Sequence, residues 1–370
     1  MGPPSFLCGA TSLPPWSGFP TTSIFFTRKG ANRPPAATEM LAYYNVIDPQ
    51  SLRRTLDNWK AKNGFPNGEV RAAYLNRNDL GFGRDMHCRQ DTSSSPDPYI
   101  ACYVTNYGAP DQNPANADDA VNQNAKTRLA TVAMEYRKIE GQASPIVKFF
   151  VYGPDGSIVT DGADLDNQGK RPIPQLCTVC HGSNTYQPND YLHPTLADVD
   201  LQASFREFDL ASYGYSSVSG WSRKDQEANF KELNQMVVAS NPSTAIKDLI
   251  TGWYTGNSPT QDSTYIPNGW KTDPSGHPYQ PPVPDLYSKV VGKSCRTCHV
   301  ALSPNLNWLD YPTLQKRRTT VNFLVCGQSS KAMPHACATY RDFWTDNQRQ
   351  GPQTLANFSN TDWAAFATCQ

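Results

Sequence analysis

Ten cysteines and six histidines are the side chains of this 370-residue chain best suited to chemistry, and four of the cysteines fall in two copies of one pattern. The pattern is Cys-x-x-Cys-His, read as Cys177-Thr178-Val179-Cys180-His181 and again as Cys295-Arg296-Thr297-Cys298-His299. It is the attachment signature of a c-type haem. The spacing follows from the reaction: two thiols add across the two vinyl groups of one porphyrin edge, and the next residue brings an imidazole to the iron. A redox dithiol or a zinc centre built from the two pairs uses the same cysteines, but neither accounts for a histidine after each pair. The cofactor reading is two covalently attached haem c groups, held by Cys177, Cys180 and His181 and by Cys295, Cys298 and His299.

The motif histidines supply one iron ligand each, and the sixth ligand sets the chemistry: methionine raises the potential, histidine lowers it, and an open position admits small molecules. For the second haem the choice lies between Met333 and His335, in Met333-Pro334-His335, with the following proline favouring Met333. For the first haem Met86 and His87 compete, with His193 and Met134 as outside choices. Met86-His87-Cys88 and Met333-Pro334-His335-Ala336-Cys337 share an order of Met, His and Cys. A disulfide beside each ligand segment would hold it in place. His277, in a Gly/Pro-rich stretch, reads as a surface histidine.

Haem is attached where exported chains mature, which is also where disulfides persist. The localisation expected is periplasmic or extracellular. Local spacing suggests the bridges Cys88–Cys102 and Cys326–Cys337, with Cys8–Cys369 as the remainder. An export signal is expected, although Met1–Cys8 shows neither a charged start nor an apolar core.

Lys+Arg and Asp+Glu both total 33, so the formal net charge is zero. That excludes the basic footprint of a nucleic-acid binder. No apolar run approaches the ~18 residues of a membrane span. The 31 prolines predict many loops.

Elements must then be found to position the two motifs. Residues 1–39 read as an extended proline-rich arm. A helix is predicted from Asp48-Pro49 through Trp59 to Gly64, and strands at Tyr99–Tyr103, Ile146–Tyr152 and Ser157–Thr160, with Arg128–Tyr136 ambiguous. Ser222 and Asp225 form a capping box ahead of a helix carrying Phe230, Leu233 and Val237. A further helix is expected at Pro242–Thr251. The fold class expected is mainly α with extensive loops and a small antiparallel β-sheet in the N-terminal half, ending in a cytochrome c-like C-terminal haem domain. The boundaries are 1–39 for the arm, 40–254 for an N-terminal haem domain, 255–284 for a linker, and 285–370 for the C-terminal haem domain. The last is read as a helix from Pro284, helices near Tyr311–Leu324 and Ala336–Thr345, and a final one at Thr361–Thr368.

The segments Asn78-Asp79-Leu80-Gly81-Phe82-Gly83-Arg84-Asp85-Met86-His87-Cys88, Ala163-Asp164-Leu165-Asp166, Ala332-Met333-Pro334-His335-Ala336 and Arg341-Asp342-Phe343-Trp344 extend the picture. Together with the two haem signatures, they resemble an exported bacterial di-haem cytochrome c family over about residues 40–345. The resemblance implies haem binding and electron transfer, with no defined substrate. The function expected is electron carriage by a di-haem cytochrome c outside the cytoplasm, toward redox partner proteins and, in a filamentous haem chain, other copies of itself. No catalytic residue is named for that role. The alternative is a di-haem peroxidase-like oxidoreductase with one open haem site, for which Glu135 is the acid/base group to name. A thiosulfate-type oxidoreductase would need Cys88 as a free thiol.

Overall fold

In a computed structural model the chain is described over residues 33–93, 99–165, 169–182, 184–279, 283–326, 333, 336–345 and 351–357. Its centre is a six-stranded antiparallel sheet. The strands are β1 (Val70–Asn76), β2 (Gly83–Asp91), β3 (Tyr99–Tyr107), β4 (Arg128–Arg137), β5 (Ile146–Tyr152) and β6 (Tyr213–Gly214). They run in the order β5-β4-β3-β2-β1-β6. Aromatic and β-branched residues dominate β3 and β5, as a buried pleated surface requires, and both strands are buried along their whole length.

Side chains alternate between the two faces. One face carries Met86, Val104, Val132, Met134, Phe149 and Val151, which line a cavity. The other carries Asp85, His87, Tyr103 and Glu135. Helix α1 (Ala37–Ile47) stacks Tyr44 on Phe150 of β5, and α2 (Leu56–Lys62) sets Trp59 edge-on to Tyr103 of β3. Helix α3 (Ala115–Val121) lies so close to β2 that a Cβ on Gly83 would come within 1.7 Å of the Asn116 carbonyl oxygen. Glycine is what lets the two backbones meet there.

Five further helices frame the motifs. Helix α4 (Gln175–His181) carries the first, α5 (Arg223–Ala239) braces β1, and α6 (Thr244–Trp253) packs on α5. A short α7 (Pro284–Leu286) continues into wide, π-helical turns at Tyr287–Cys295, and α8 (Arg296–His299) completes the second motif. Helices α9 (Tyr311–Lys316), α10 (Arg318–Cys326), α11 (Cys337–Thr345) and α12 (Gly351–Asn357) follow. Trp270, Leu286, Val290, Trp308, Phe343 and Leu355 form a second buried cluster, against which Cys295 and Met333 pack.

The expected fold class is corrected by this architecture. The chain is α+β around the six-stranded sheet, not a mainly α protein with a small sheet and a cytochrome c-like C-terminal domain. The discrepancy begins with β2. Its Gly83-Arg84-Asp85-Met86-His87-Cys88 has polar groups on a buried face, which hides the alternation by which a strand is recognised. Arg128–Arg137 resolves as a strand, whereas Ser157 and Ile158 make only isolated bridges to Thr55 and Tyr152. The helix expected from Asp48 is displaced: Asp48 terminates α1, and α2 begins after Thr55, whose hydroxyl accepts from the Asn58 N–H. The Ser222–Asp225 capping box is formed as expected, and α6 begins at Thr244 behind its cap Ser243. Thr361–Thr368 lies outside the described residues, as does the arm up to residue 32. No described helix is long and apolar enough to cross a membrane.

Candidate functional site

The two motifs occupy two separate cavities. Cys177, Cys180 and His181 open into the first, a partly open cavity of about 180 Å³ against the sheet. Cys295, Cys298 and His299 open into the second, of about 140 Å³, walled by helices. Each cavity also borrows from the other motif: Arg296 and Thr297 line the first, and Val179 lines the second. Helix α4 packs on α8, and the Cys180 and Cys298 sulfurs are 3.5 Å apart.

The motif histidines are fixed alike. His181 Nδ1 lies 3.0 Å from the Ser204 carbonyl oxygen and His299 Nδ1 2.7 Å from that of Leu306. A carbonyl can only accept, so Nδ1 carries a proton in each ring, which in a neutral imidazole leaves the lone pair on Nε2, the tautomer an iron ligand needs. Burial, helped by the positive charge of Arg206, lowers the His181 pKa to about 4, which keeps that ring neutral. Phe149 meets the His181 ring edge-on at 5.8 Å. Trp308 stacks on His299 at 4.6 Å and has a backbone φ of +52°. A bulky residue holds that conformation only where its surroundings require it.

The cysteine environment opposes dithiol chemistry. Burial pushes the Cys177 and Cys295 thiols up to about 12. Cys180 is raised by its hydrogen bond to Cys298 and by burial. A redox dithiol needs a thiol lowered toward neutrality instead. Among the described residues no group of three or more His, Cys, Asp and Glu converges as a caged metal ion would demand.

Opposite the motifs stand methionines. Met86 of β2 and Met134 of β4 both line the first cavity, two strands apart on one face. His87 projects from the other face. Its ring stacks on Tyr103 at 4.5 Å, and its nitrogens lie 3.2 Å from Glu69 and 3.1 Å from Asp85. Strand alternation thus separates the two candidates that their sequence adjacency had joined. His193 is at the surface beside Asp190, and His277 beside Asp273. Met333 lines the second cavity with His299, its N–H donating to the Leu324 carbonyl at 3.1 Å. His335 lies outside the described residues, as do the side chains of Cys326 and Cys337 and the Cys8–Cys369 pair.

Two other expectations meet the geometry directly. Cys88 and Cys102 face each other across β2 and β3 and are disulfide-bonded, so Cys88 is no free thiol. Glu135 lies across the sheet from the cavity. It accepts from Arg53 at 2.6 Å, Asn63 at 2.7 Å and Lys148 at 2.8 Å. Burial pushes its carboxyl up, but Lys148 and Arg53 outweigh that and hold it at about 2. It is a fixed counter-ion.

Sequence reasoning missed the polar end of the first cavity. Arg84, Arg206 and Arg296 gather there with Asp79, Glu207 and Asp209. Arg296 pairs with Asp209, while Arg206 is 3.9 Å from Asp79 and 3.8 Å from Glu207. The alternating Phe205-Arg206-Glu207-Phe208-Asp209 was the available signal. A cavity apolar along the sheet and charged at one end fits an amphipathic macrocycle with acid groups on one edge.

No protein-family model, curated protein or solved structure matches this chain.

Proposed function

We propose that the chain is a di-haem c-type cytochrome that transfers electrons outside the cytoplasm. The haems would be attached at Cys177 and Cys180 and at Cys295 and Cys298. The observation that carries the reading is the back-to-back placement of the two signatures, with the Cys180 and Cys298 sulfurs 3.5 Å apart and each histidine held through Nδ1 by a backbone carbonyl at its own cavity. Bound haem would supply a one-electron iron couple.

The chain's contribution is positioning. His181 and His299 offer Nε2 because their Nδ1 protons are held by backbone carbonyls. Met86 or Met134 stands available for the sixth position of the first iron, and Met333 for that of the second. Thioether ligation keeps a site closed to small molecules and favours the reduced state. The apolar side chains along the sheet and along the helical wall would shield a bound group from water on those sides. The Cys88–Cys102 disulfide supports an oxidising compartment, and redox proteins or further copies of the chain are the partners this role implies.

The peroxidase-like alternative needs a releasable sixth ligand and a nearby acid. Methionines on the cavity walls and the anchoring of Glu135 beyond the sheet both favour the carrier. Optical spectra of oxidised and reduced protein, repeated with carbon monoxide and peroxide, test the choice. Two low-spin centres indifferent to both additives are expected. A high-spin centre that binds carbon monoxide and turns over peroxide would overturn the carrier reading.

A further inference from the structure

Two buried arginine nitrogens in the first cavity have nothing to bind. Nε of Arg84 and Nε of Arg206 are shielded from solvent and make no hydrogen bond, and neither does Oδ1 of the adjacent Asn106, a residue only 2% exposed. Arg84 and Asn106 are direct partners across β2 and β3. They lie two residues along their strands from Met86 and Val104 and share the same face. The cavity wall therefore passes from thioether and valine to guanidinium and amide within one strand repeat of ~7 Å. The acids nearest Arg206 stand 3.8 and 3.9 Å away, too far for hydrogen bonds. Unpaired guanidinium N–H groups in a desolvated cavity are costly unless an acceptor arrives.

We propose that this pole is a carboxylate-binding site in which Arg84 and Arg206 receive the two acid groups of the haem attached at Cys177 and Cys180. The inference rests on the di-haem reading. Guanidinium is suited to the task because its planar fork matches a carboxylate in a bidentate way. Arg84, Arg206 and Arg296 stand against Asp79, Glu207 and Asp209, and of the ion pairs among them only Arg296–Asp209 closes to hydrogen-bond distance. The second cavity has no such pole, since Arg317 is the one cationic side chain lining it among the described residues. The two sites should therefore hold the acid edge of the same cofactor differently, one buried against two arginines and the other not.

Holoprotein carrying Arg84→Gln, Arg206→Gln or Arg84→Lys is compared with the parent by redox titration and by resonance Raman bands of the haem carboxylates. Either Gln variant is expected to shift one midpoint potential downward, because a cation that disfavours the oxidised state is lost, and to displace one set of carboxylate bands. The other centre stays put, and two haems per chain remain covalently bound. Arg84→Lys restores the potential but not the bands, because charge returns without the fork. Should Arg84→Gln fail to fold, the milder Arg84→Lys still reports through its bands. Unmoved potentials and bands, or equal shifts at both centres, overturn the proposal. Addition of succinate to the parent separates a free-acid site from a haem-acid site: binding to the loaded protein at this pole also overturns it. Absence of covalent haem in every preparation would be the failure of the wider reading, visible before any variant is made.

Discussion

The two cavities present the same Cys-x-x-Cys-His geometry to different walls, and the contrast shows what each wall supplies. The first is closed by a sheet. Its methionines sit at positions set by strand register, its far face is locked by the Arg53–Glu135–Lys148 ion cluster, and its two central strands are cross-linked by Cys88–Cys102. The second is closed by α8 to α12 and the π-helical turns, and among the described residues it is lined by one thioether and one guanidinium with otherwise mostly apolar side chains. A sheet wall is stiff in the direction that matters for ligand choice, because a one-residue slip would exchange Met86 for His87. A helical wall permits local adjustment. The first centre should therefore respond to changes spread across the sheet, and the second only to changes in its own segments.

The largest effect expected is the simplest. Cys295→Ser with Cys298→Ser should remove one covalent haem per chain and leave the spectrum of the first centre intact, as read by reduced-minus-oxidised difference spectra. Loss of both haems would mean that the sites are not separate.

Glu135→Gln should cost about 3–5 kcal/mol, since it leaves Arg53 and Lys148 facing a neutral partner in the interior; urea unfolding measures this. The same carboxyl gives a pH signature. Its folded pKa, about 2, lies below the ordinary 4.5, so its stabilisation is complete above about pH 5 and lost as pH falls toward 2, amounting to ~3 kcal/mol in all. Parent protein should lose stability over that window and Glu135→Gln should show a flatter profile. An identical profile in the variant would mean that Glu135 is not the group responsible.

Reducing Cys88–Cys102, or replacing both residues by Ala, should cost ~3 kcal/mol for a loop of this length. Gly83→Ala should cost about 1–3 kcal/mol through the clash with Asn116. Both changes should perturb the first centre's ligand-sensitive bands more than the second's. Equal perturbation would erase the distinction between the walls. The finest test separates thioethers: Met333→Ala should alter only the second centre's methionine–iron charge-transfer band, and only one of Met86→Ala and Met134→Ala should alter the first's.

The two Cys-x-x-Cys-His signatures were legible in the sequence because local spacing alone defines them, and Cys177–His181 and Cys295–His299 needed no tertiary information. The Cys88–Cys102 bridge was legible for the same reason, with both partners in neighbouring hairpin strands. The sheet itself was not. Arg84, Asp85 and His87 mask the alternation of β2, and what tolerates them inside is partners remote in sequence, such as Gln123 at 2.8 Å from Asp85. The choice between Met86 and His87 was equally hidden, since adjacent residues differ only in the face they take once the strand exists. Glu135 shows the reverse error: a glutamate beside Met134 looked available for chemistry until Lys148 and Arg53, brought by β5 and the segment after α1, claimed it. The Arg84–Arg206 pole joins two segments more than a hundred residues apart, and only the fold unites them.

The central claim is that both signatures hold haem at once in a single chain. Intact-mass measurement of the denatured protein, produced in a host that matures exported c-type cytochromes, tests it most directly. The account predicts the chain plus two haems, surviving acid extraction and reduction; a bare chain, or one bearing zinc and free thiols at Cys177, Cys180, Cys295 and Cys298, would contradict it.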